Sequence, residues 1–304
     1  MRESGDQVTV ISPPDGDGDR RVPFDGGRPF RVAARLAPEF DRILVHFQPA
    51  LYFRPRAPVS KIRTSLALLR LSRDHDGTEI LVHEADRPIR WRPDYVLLRR
   101  AFASTPLLLF HTERERQQLE ESYGIRVNAK LVDHRDGIAL RATPSREEAR
   151  RLLDLPSDAC VFVSPGFLHP DKGLERAIEA IRRTGAGALF IVGLVKDATP
   201  RNLAYAQHLR EQSGDGVELI ERFLDEAELD AWTAAADGVV LPYRQSWSSG
   251  ALARAQALGT PAIVTAVGGL PEQATDRDVV VTSDGELDQA LRTIGASRKG
   301  AVRR

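Results

Sequence analysis

The 304-residue chain has one cysteine, Cys160. A single thiol excludes an internal disulfide framework and any multi-cysteine zinc site. Cys160 lies in the apolar run Ala159-Cys160-Val161-Phe162-Val163. That run reads as a buried strand, so the thiol is expected to be an inert core group rather than a nucleophile. Net charge is lacking too. The formal balance is +0, and no bulk field draws the chain to nucleic acid or an anionic membrane. The basic run at residues 298–304 is short and reads as a solvated tail. No stretch approaches the roughly 18 apolar residues of a membrane span. The best candidate, residues 95–110, is broken by Arg99, Arg100 and Pro106. The opening Met1-Arg2-Glu3-Ser4-Gly5-Asp6 has no apolar signal-peptide core. The expectation is a cytoplasmic protein without a transmembrane segment or a nucleic-acid partner; peripheral membrane contact stays open. No two histidines share metal-ligand spacing on a helix, and no metal is expected.

What is present is an alternation. The 42% hydrophobic content supports real cores, and a chain of this length suits two open-sheet domains better than one. Short β-branched runs at residues 8–11, 42–47, 79–83, 107–111 and 127–132 read as strands. Helical patterns fall at residues 30–36, 61–73, 97–102 and 113–123. Residues 13–29, rich in Gly, Asp and Pro, read as a loop. Thr143-Pro144-Ser145 then breaks the pattern, and Ser145 with Glu148 offers a capping box. A boundary there gives domains at residues 1–143 and 144–304. A second alternation follows, with strands at 161–164, 188–192, 217–220, 239–241, 262–265 and 279–281. Its helices fall at 174–183, 203–213, 226–235, 251–258, 271–274 and 286–294. Such alternation predicts an α/β fold of parallel sheets covered on both faces. Two doubly wound domains facing each other would leave a cleft.

Residues 246–272, SWSSGALARAQALGTPAIVTAVGGLPE, are the most specific stretch. A Ser/Gly loop follows an apolar strand and opens a helix. The free N–H groups there, beside Ser248, Ser249 and Gly250, form an anion seat. Gly259 suits a left-handed helix stop. Gly268-Gly269 turn the chain, and Pro271 suits the first turn of the next helix. Open α/β sheets bind ligands in such loops at the carboxyl ends of strands. A phosphate-bearing ligand is therefore expected. The competing reading of Ser248 and Ser249 is a plain helix cap. Gly268 and Gly269 either let backbone approach a ligand or only make the turn, and Glu272 either contacts ligand or caps its helix.

The second half resembles the C-terminal domain of GT-B-fold glycosyltransferases of the family-4, or group 1, type. The matching pieces come in the family's order: Ser164-Pro165-Gly166-Phe167-Leu168-His169-Pro170-Asp171-Lys172-Gly173-Leu174, then Phe190-Ile191-Val192-Gly193, then residues 217–229, then residues 236–242 leading into the stretch above. The first half is similar to the acceptor-side strands at Ile43-Leu44-Val45-His46, Ile80-Leu81-Val82-His83 and Leu108-Leu109-Phe110-His111. The resemblance implies two facing Rossmann-like doubly wound domains. A nucleotide-diphosphate sugar would lie mainly on the second and a saccharide, lipid or small-molecule acceptor on the first. It implies retaining, metal-independent transfer with no cofactor beyond the donor.

A departing diphosphate needs fixed donors and cations. The resemblance gives that role to Lys172 in the Gly166 turn, together with Ser248, Ser249 and Gly250. It places His83 against the donor sugar as the catalytic candidate, the alternative being a core histidine. His169, Gly268, Gly269 and Glu272 are the candidates for sugar or nucleotide contact. His46 and His111 read as structural. There are departures. Phe167 stands where the family often has arginine, and Ser246 and Arg254 stand where its carboxylate pair is usual. Residues 2–10 look like the end of a first helix running into a second strand, so the first domain is expected to lack its opening βα unit. The chain also stops soon after Ile294. These departures keep an alternative alive: a degenerate, non-catalytic relative that binds a nucleotide sugar or a partner protein. Asp15-Gly16-Asp17-Gly18-Asp19 reads as a solvated loop. Arg20 and Gly26 stand where a calcium loop needs a glycine and a bidentate acid.

Overall fold

The computed structural model describes residues 6–54, 56–84 and 91–302, with side chains to residue 298. The polar opening at residues 1–5 and the side chains of the basic run at residues 299–304 lie outside the described residues. The chain divides into two compact units, Met1–Val132 and Asp133–Arg304.

The first unit opens with β1 (Ile11–Ser12) and β2 (Arg20–Arg21), which pair in parallel as a separate two-stranded piece. There follow α1 (Arg28–Leu36), β3 (Ile43–Phe47), α2 (Pro49–Tyr52), α3 (Pro58–Asp74), β4 (Thr78–Val82), α4 (Pro93–Ser104), β5 (Leu107–Phe110), α5 (Glu113–Tyr123) and β6 (Ala129–Leu131). The sheet order is β3-β4-β5-β6, all parallel. Local chemistry sets the helix ends. Thr112 and Glu115 form a reciprocal capping box at the start of α5, and Gly124 stops it at φ 59°. Phe47 meets Phe102 edge-on at 5.3 Å, and Leu68, Ile80, Leu108 and Phe110 are fully buried around them.

β2 falls inside the stretch read as loop. Both its residues are exposed arginines, so no apolar pattern announced it. It exists because the N–H groups of Arg20 and Val22 donate to the carbonyls of Val10 and Ser12.

Among the described residues no strand pairs with the outer edge of β3. The Ile43 N–H donates to Gly77 and the His83 N–H donates to the Phe47 carbonyl. Main-chain groups alternate sides along a parallel strand, so those of Leu44 and His46 face away from β4. They face a groove of about 780 Å³, whose other wall is residues 6–13.

The second unit holds α6 (Arg146–Leu152), β7 (Val161–Pro165), α7 (Leu174–Thr184), β8 (Ala188–Gly193), α8 (Pro200–Glu211), β9 (Val217–Glu221), α9 (Glu226–Ala235), β10 (Gly238–Leu241), α10 (Gly250–Ala257), β11 (Ala262–Thr265), α11 (Leu270–Gln273), β12 (Val279–Val281) and α12 (Asp284–Val302). Its sheet is parallel throughout, in the order β12-β11-β10-β7-β8-β9. Alternate residues feed two cores. Phe162 and Val240 join Ile178, Ile181 and Leu291 on one face. Val161, Val163, Val239 and Leu241 join Trp232, Tyr243 and Leu252 on the other.

The division between the units falls at Val132 and Asp133, ahead of the break expected at residue 143. The reason is local. The N–H groups of Arg141 and Ala142 donate to the buried Asp230 carboxylate of α9 at 2.7 and 3.0 Å. The 3-10 turn His134–Gly137 also lies against α10. The connecting strand of chain is thus tied to the second unit.

Candidate functional site

In the second sheet the chain runs from β7 out through β8 to β9, then returns to the other side of β7 to lay down β10, β11 and β12. The reversal lies between neighbours β7 and β10. Loops leaving the carboxyl ends of two such strands diverge, and an open α/β sheet takes its ligand there. These loops carry Lys172 on one side and residues 242–250 on the other.

Glycines press the loops together. Gly166 sits at φ 132°, where L side chains are strained, and its N–H donates to Val192 at 2.9 Å. A Cβ on Gly173 would come within 2.4 Å of the Pro242 carbonyl. That close approach sets the Lys172 ammonium 3.8 Å above the Tyr243 ring, a cation–π contact. Tyr243 is only 2% exposed, its carbonyl accepts from Thr265 at 2.6 Å, and its hydroxyl lies 3.5 Å from that of Ser249. Tyr243 thus connects the lysine to the start of α10. Sequence reasoning missed it, although its place just after β10 and Pro242 was the available signal.

Ser249 is the N-cap of α10, its hydroxyl accepting from the Leu252 N–H at 3.2 Å. Gln273 of α11 clamps the same residue, accepting from its N–H at 2.9 Å and donating to its carbonyl at 2.8 Å. The N–H groups of Gly250 and Ala251 have no partner among the described residues. They point out of a helix start, where the peptide dipoles favour an anion. Ser248 accepts at its carbonyl from the Ser246 hydroxyl at 2.9 Å. Gly268, at φ 56°, lies against Ser246, whose carbonyl a Cβ would overlap, and the Gly269 N–H donates to Trp247 at 2.8 Å. The two glycines therefore shape the 246–248 loop. Glu272 is exposed in the first turn of α11. His169 caps the turn that carries Lys172, its Nδ1 accepting from the Asp171 N–H at 3.2 Å.

Arg254 is held by Asp230 and Glu226. Its guanidinium completes the polar network under α9 and supplies no acceptor. Near the Gly166 turn, Arg244 pairs with Glu175. Burial pushes the Glu175 carboxyl up, but hydrogen bonds from Tyr205 and Arg244 outweigh it and hold the acid below its usual range.

In the first unit, His46, His83 and His111 stand at the carboxyl ends of β3, β4 and β5. The His46 Nδ1 lies 3.0 Å from the His83 Nε2. Their rings stack at 5.3 Å, and His83 lies 5.8 Å from His111. Burial, then the neighbouring His46 and His111, lowers His83 to about 4, and burial lowers His46 as well. Both are neutral at pH 7, so one ring donates and the other accepts. Read singly in the sequence, His46 and His111 look structural; the parallel register makes a row of three. Among the described residues no group of three or more His, Cys, Asp or Glu side chains could hold a metal ion. No described helix is long and apolar enough to cross a membrane.

Residues 159–295 match the family model described as glycosyl transferases group 1. Similar proteins include the D-inositol 3-phosphate glycosyltransferase of Streptomyces bingchenggensis, 31% identical over 182 residues, covering 56% of this chain and 40% of that protein. D-inositol 3-phosphate glycosyltransferase 2 of Catenulispora acidiphila is 31% identical over 181 residues, covering 56% and 42%. The chain thus spans about two fifths of the length of these curated relatives. Among solved structures, sucrose-phosphate synthase from Thermosynechococcus elongatus superposes with a TM-score of 0.62 at 16% identity, covering 91% of this chain and 74% of that one. Anabaena Alr3699/HepE, solved with UDP and glucose, gives 0.61 at 15% identity, covering 90% and 76%. The fold is of the GT-B class, built from two Rossmann-like units. Within it, residues 159–295 belong to the group 1 glycosyltransferases.

Proposed function

We propose that this protein moves a sugar from a nucleotide-diphosphate sugar to an acceptor hydroxyl. The observation that carries the reading is the line Lys172–Tyr243–Ser249 at the chain-reversal point of the second sheet. As the glycosidic bond breaks, negative charge grows on the leaving diphosphate. The Lys172 ammonium and the N–H groups of Gly250 and Ala251 are fixed in place before that charge develops, which is how such sites lower a barrier. Protein cations can then do the work of a metal. Retention of configuration follows the group 1 resemblance, and the anomeric signal of the product by NMR tests it. Ser248 and Gly166 complete the diphosphate seat. Gly268, Gly269, Glu272 and His169 border the nucleotide and sugar, and His83 serves the first unit's share of the reaction. The lone buried thiol suits a cytoplasmic protein. The curated relatives are named for inositol 3-phosphate, which is the first acceptor to try.

Titration with UDP, ADP, GDP and their glucose conjugates tests the donor seat. The expected result is millimolar or tighter binding of at least one, weakened about tenfold or more by Lys172→Ala. A folded protein that binds none of them would sink the reading. A second reading is binding without turnover. It is favoured by Arg254, which the Asp230 and Glu226 carboxylates hold where the family has an acid. Donor binding with no release of free nucleotide, over a range of acceptors, would select it.

A further inference from the structure

We propose that Lys196, in the loop after β8, is a second cation for the donor diphosphate. The proposal rests on the donor-site reading above and deepens it. A diphosphate carries more than one negative charge, and Lys172 alone leaves it undercompensated. The cations around the Gly166 turn sort into two kinds. Arg176 pairs with Asp284 at 2.7 Å, Arg201 pairs with Asp171 at 3.3 Å, and Arg244 pairs with Glu175. Their charges are met within the protein. Lys172 and Lys196 have no carboxylate partner among the described residues; each lies over an aromatic ring instead, Lys172 over Tyr243 at 3.8 Å and Lys196 over Phe167 at 5.1 Å. A ring face attracts an ammonium without neutralising it, so both charges stay available to an anion.

The backbone brings Lys196 to this place. The Leu168 N–H donates to the Leu194 carbonyl at 2.9 Å, so the loops after β7 and β8 continue the strand pairing beyond the sheet. Gly193 packs against Gly166 so closely that a Cβ on it would overlap the Gly166 carbonyl. The two loops therefore carry their lysines to either side of one turn. Phe167 is 45% exposed, an unusual cost for a large apolar side chain in a polar turn. A platform for the Lys196 stem accounts for it. Charge absent from the first loop is delivered from the next.

Calorimetric titration of UDP, ADP and GDP, and of the matching nucleosides, separates the terms. Lys196→Met keeps the stem on Phe167 and removes only the charge. The expected result is about a tenfold loss for the diphosphate, no change for the nucleoside, and near-full rescue by Lys196→Arg. Phe167→Arg in the Lys196→Met background should restore most of the loss. Because Lys196 is exposed, the melting temperature should not move. Diphosphate affinity unchanged in Lys196→Met but weakened in Lys172→Ala overturns this proposal and leaves the donor seat standing. Equal losses for nucleoside and diphosphate overturn it also. Failure of every diphosphate to bind the unaltered protein removes the donor seat itself.

Discussion

Tyr243 is the residue on which the proposed donor seat turns. Its ring carries Lys172, its hydroxyl reaches Ser249, and its burial fixes both. Tyr243→Phe should therefore bind a nucleoside diphosphate within about threefold of the unaltered protein, because the ring face survives. Tyr243→Leu should weaken binding by about fivefold or more, read by the same titration. His83 gives a second prediction at this scale. Its value in the folded protein, about 4, lies below the ordinary 6.5. Between those values the unfolded chain binds more protons than the folded one. Stability is full above pH 6.5, falls as the pH drops toward 4, and levels off below. The loss is up to ~3 kcal/mol at full burial, less here because His83 is partly exposed. Urea midpoints at neutral and acid pH should move apart less in His83→Gln. Lys172, Ser249 and Gly250 could be singled out as candidates from the sequence because they lie in short contiguous loops. Tyr243 was not, since its role depends on a lysine some seventy positions earlier in the chain.

Among elements, α6 shows how the second unit is locked. The Arg150 guanidinium, 2% exposed, donates to the carbonyls of Ala235, Pro156, Ser157 and Ala159 and to the Asp237 carboxylate at 2.7 Å. Asp237 in turn accepts from the Val161 N–H at 2.8 Å, at the start of β7. Asp237→Ala leaves that arginine buried and uncompensated, and should cost about 3–5 kcal/mol in denaturant unfolding. Ser249→Ala, which removes the α10 cap and the long contact with the Tyr243 hydroxyl, should cost about 1 kcal/mol. The Ser145–Glu148 capping box that starts α6 was readable from two residues. The clamp itself was not, because Arg150 and Asp237 lie far apart in sequence. The domain boundary expected at residue 143 moved for a related reason: the buried Asp230 binds the linker backbone, and nothing local to the linker encodes that. α12 likewise runs to Val302 rather than ending near residue 294: Gly295 stays helical instead of stopping the helix, and its missing Cβ lets α12 pass close to the Ala186 carbonyl.

For the whole molecule, the two units differ in how far their sequences declare them. The second carries its motifs in unbroken order along one sheet, and β11, β12 and α9 fall at the boundaries read from the sequence. The first holds three histidines spaced about thirty residues apart, which only strand register brings into a row. The units differ in completeness of pairing as well. Among the described residues β10 and β7 have neighbours on both sides, whereas β3 has one. Hydrogen exchange followed by mass spectrometry should therefore show Leu44 and His46 losing deuterium protection well before Val163 or Val240.

The open flank of β3 has a colloidal consequence. The main-chain N–H and C=O of Leu44 and the N–H of His46, unpaired among the described residues, are a template on which like strands from other molecules can lengthen a sheet. With a formal charge of +0, long-range repulsion does little to keep such molecules apart near neutral pH. Handling of the purified protein should then be limited by concentration rather than by temperature. A single lysine at position 44, placed by Leu44→Lys, should raise the concentration at which light scattering first appears.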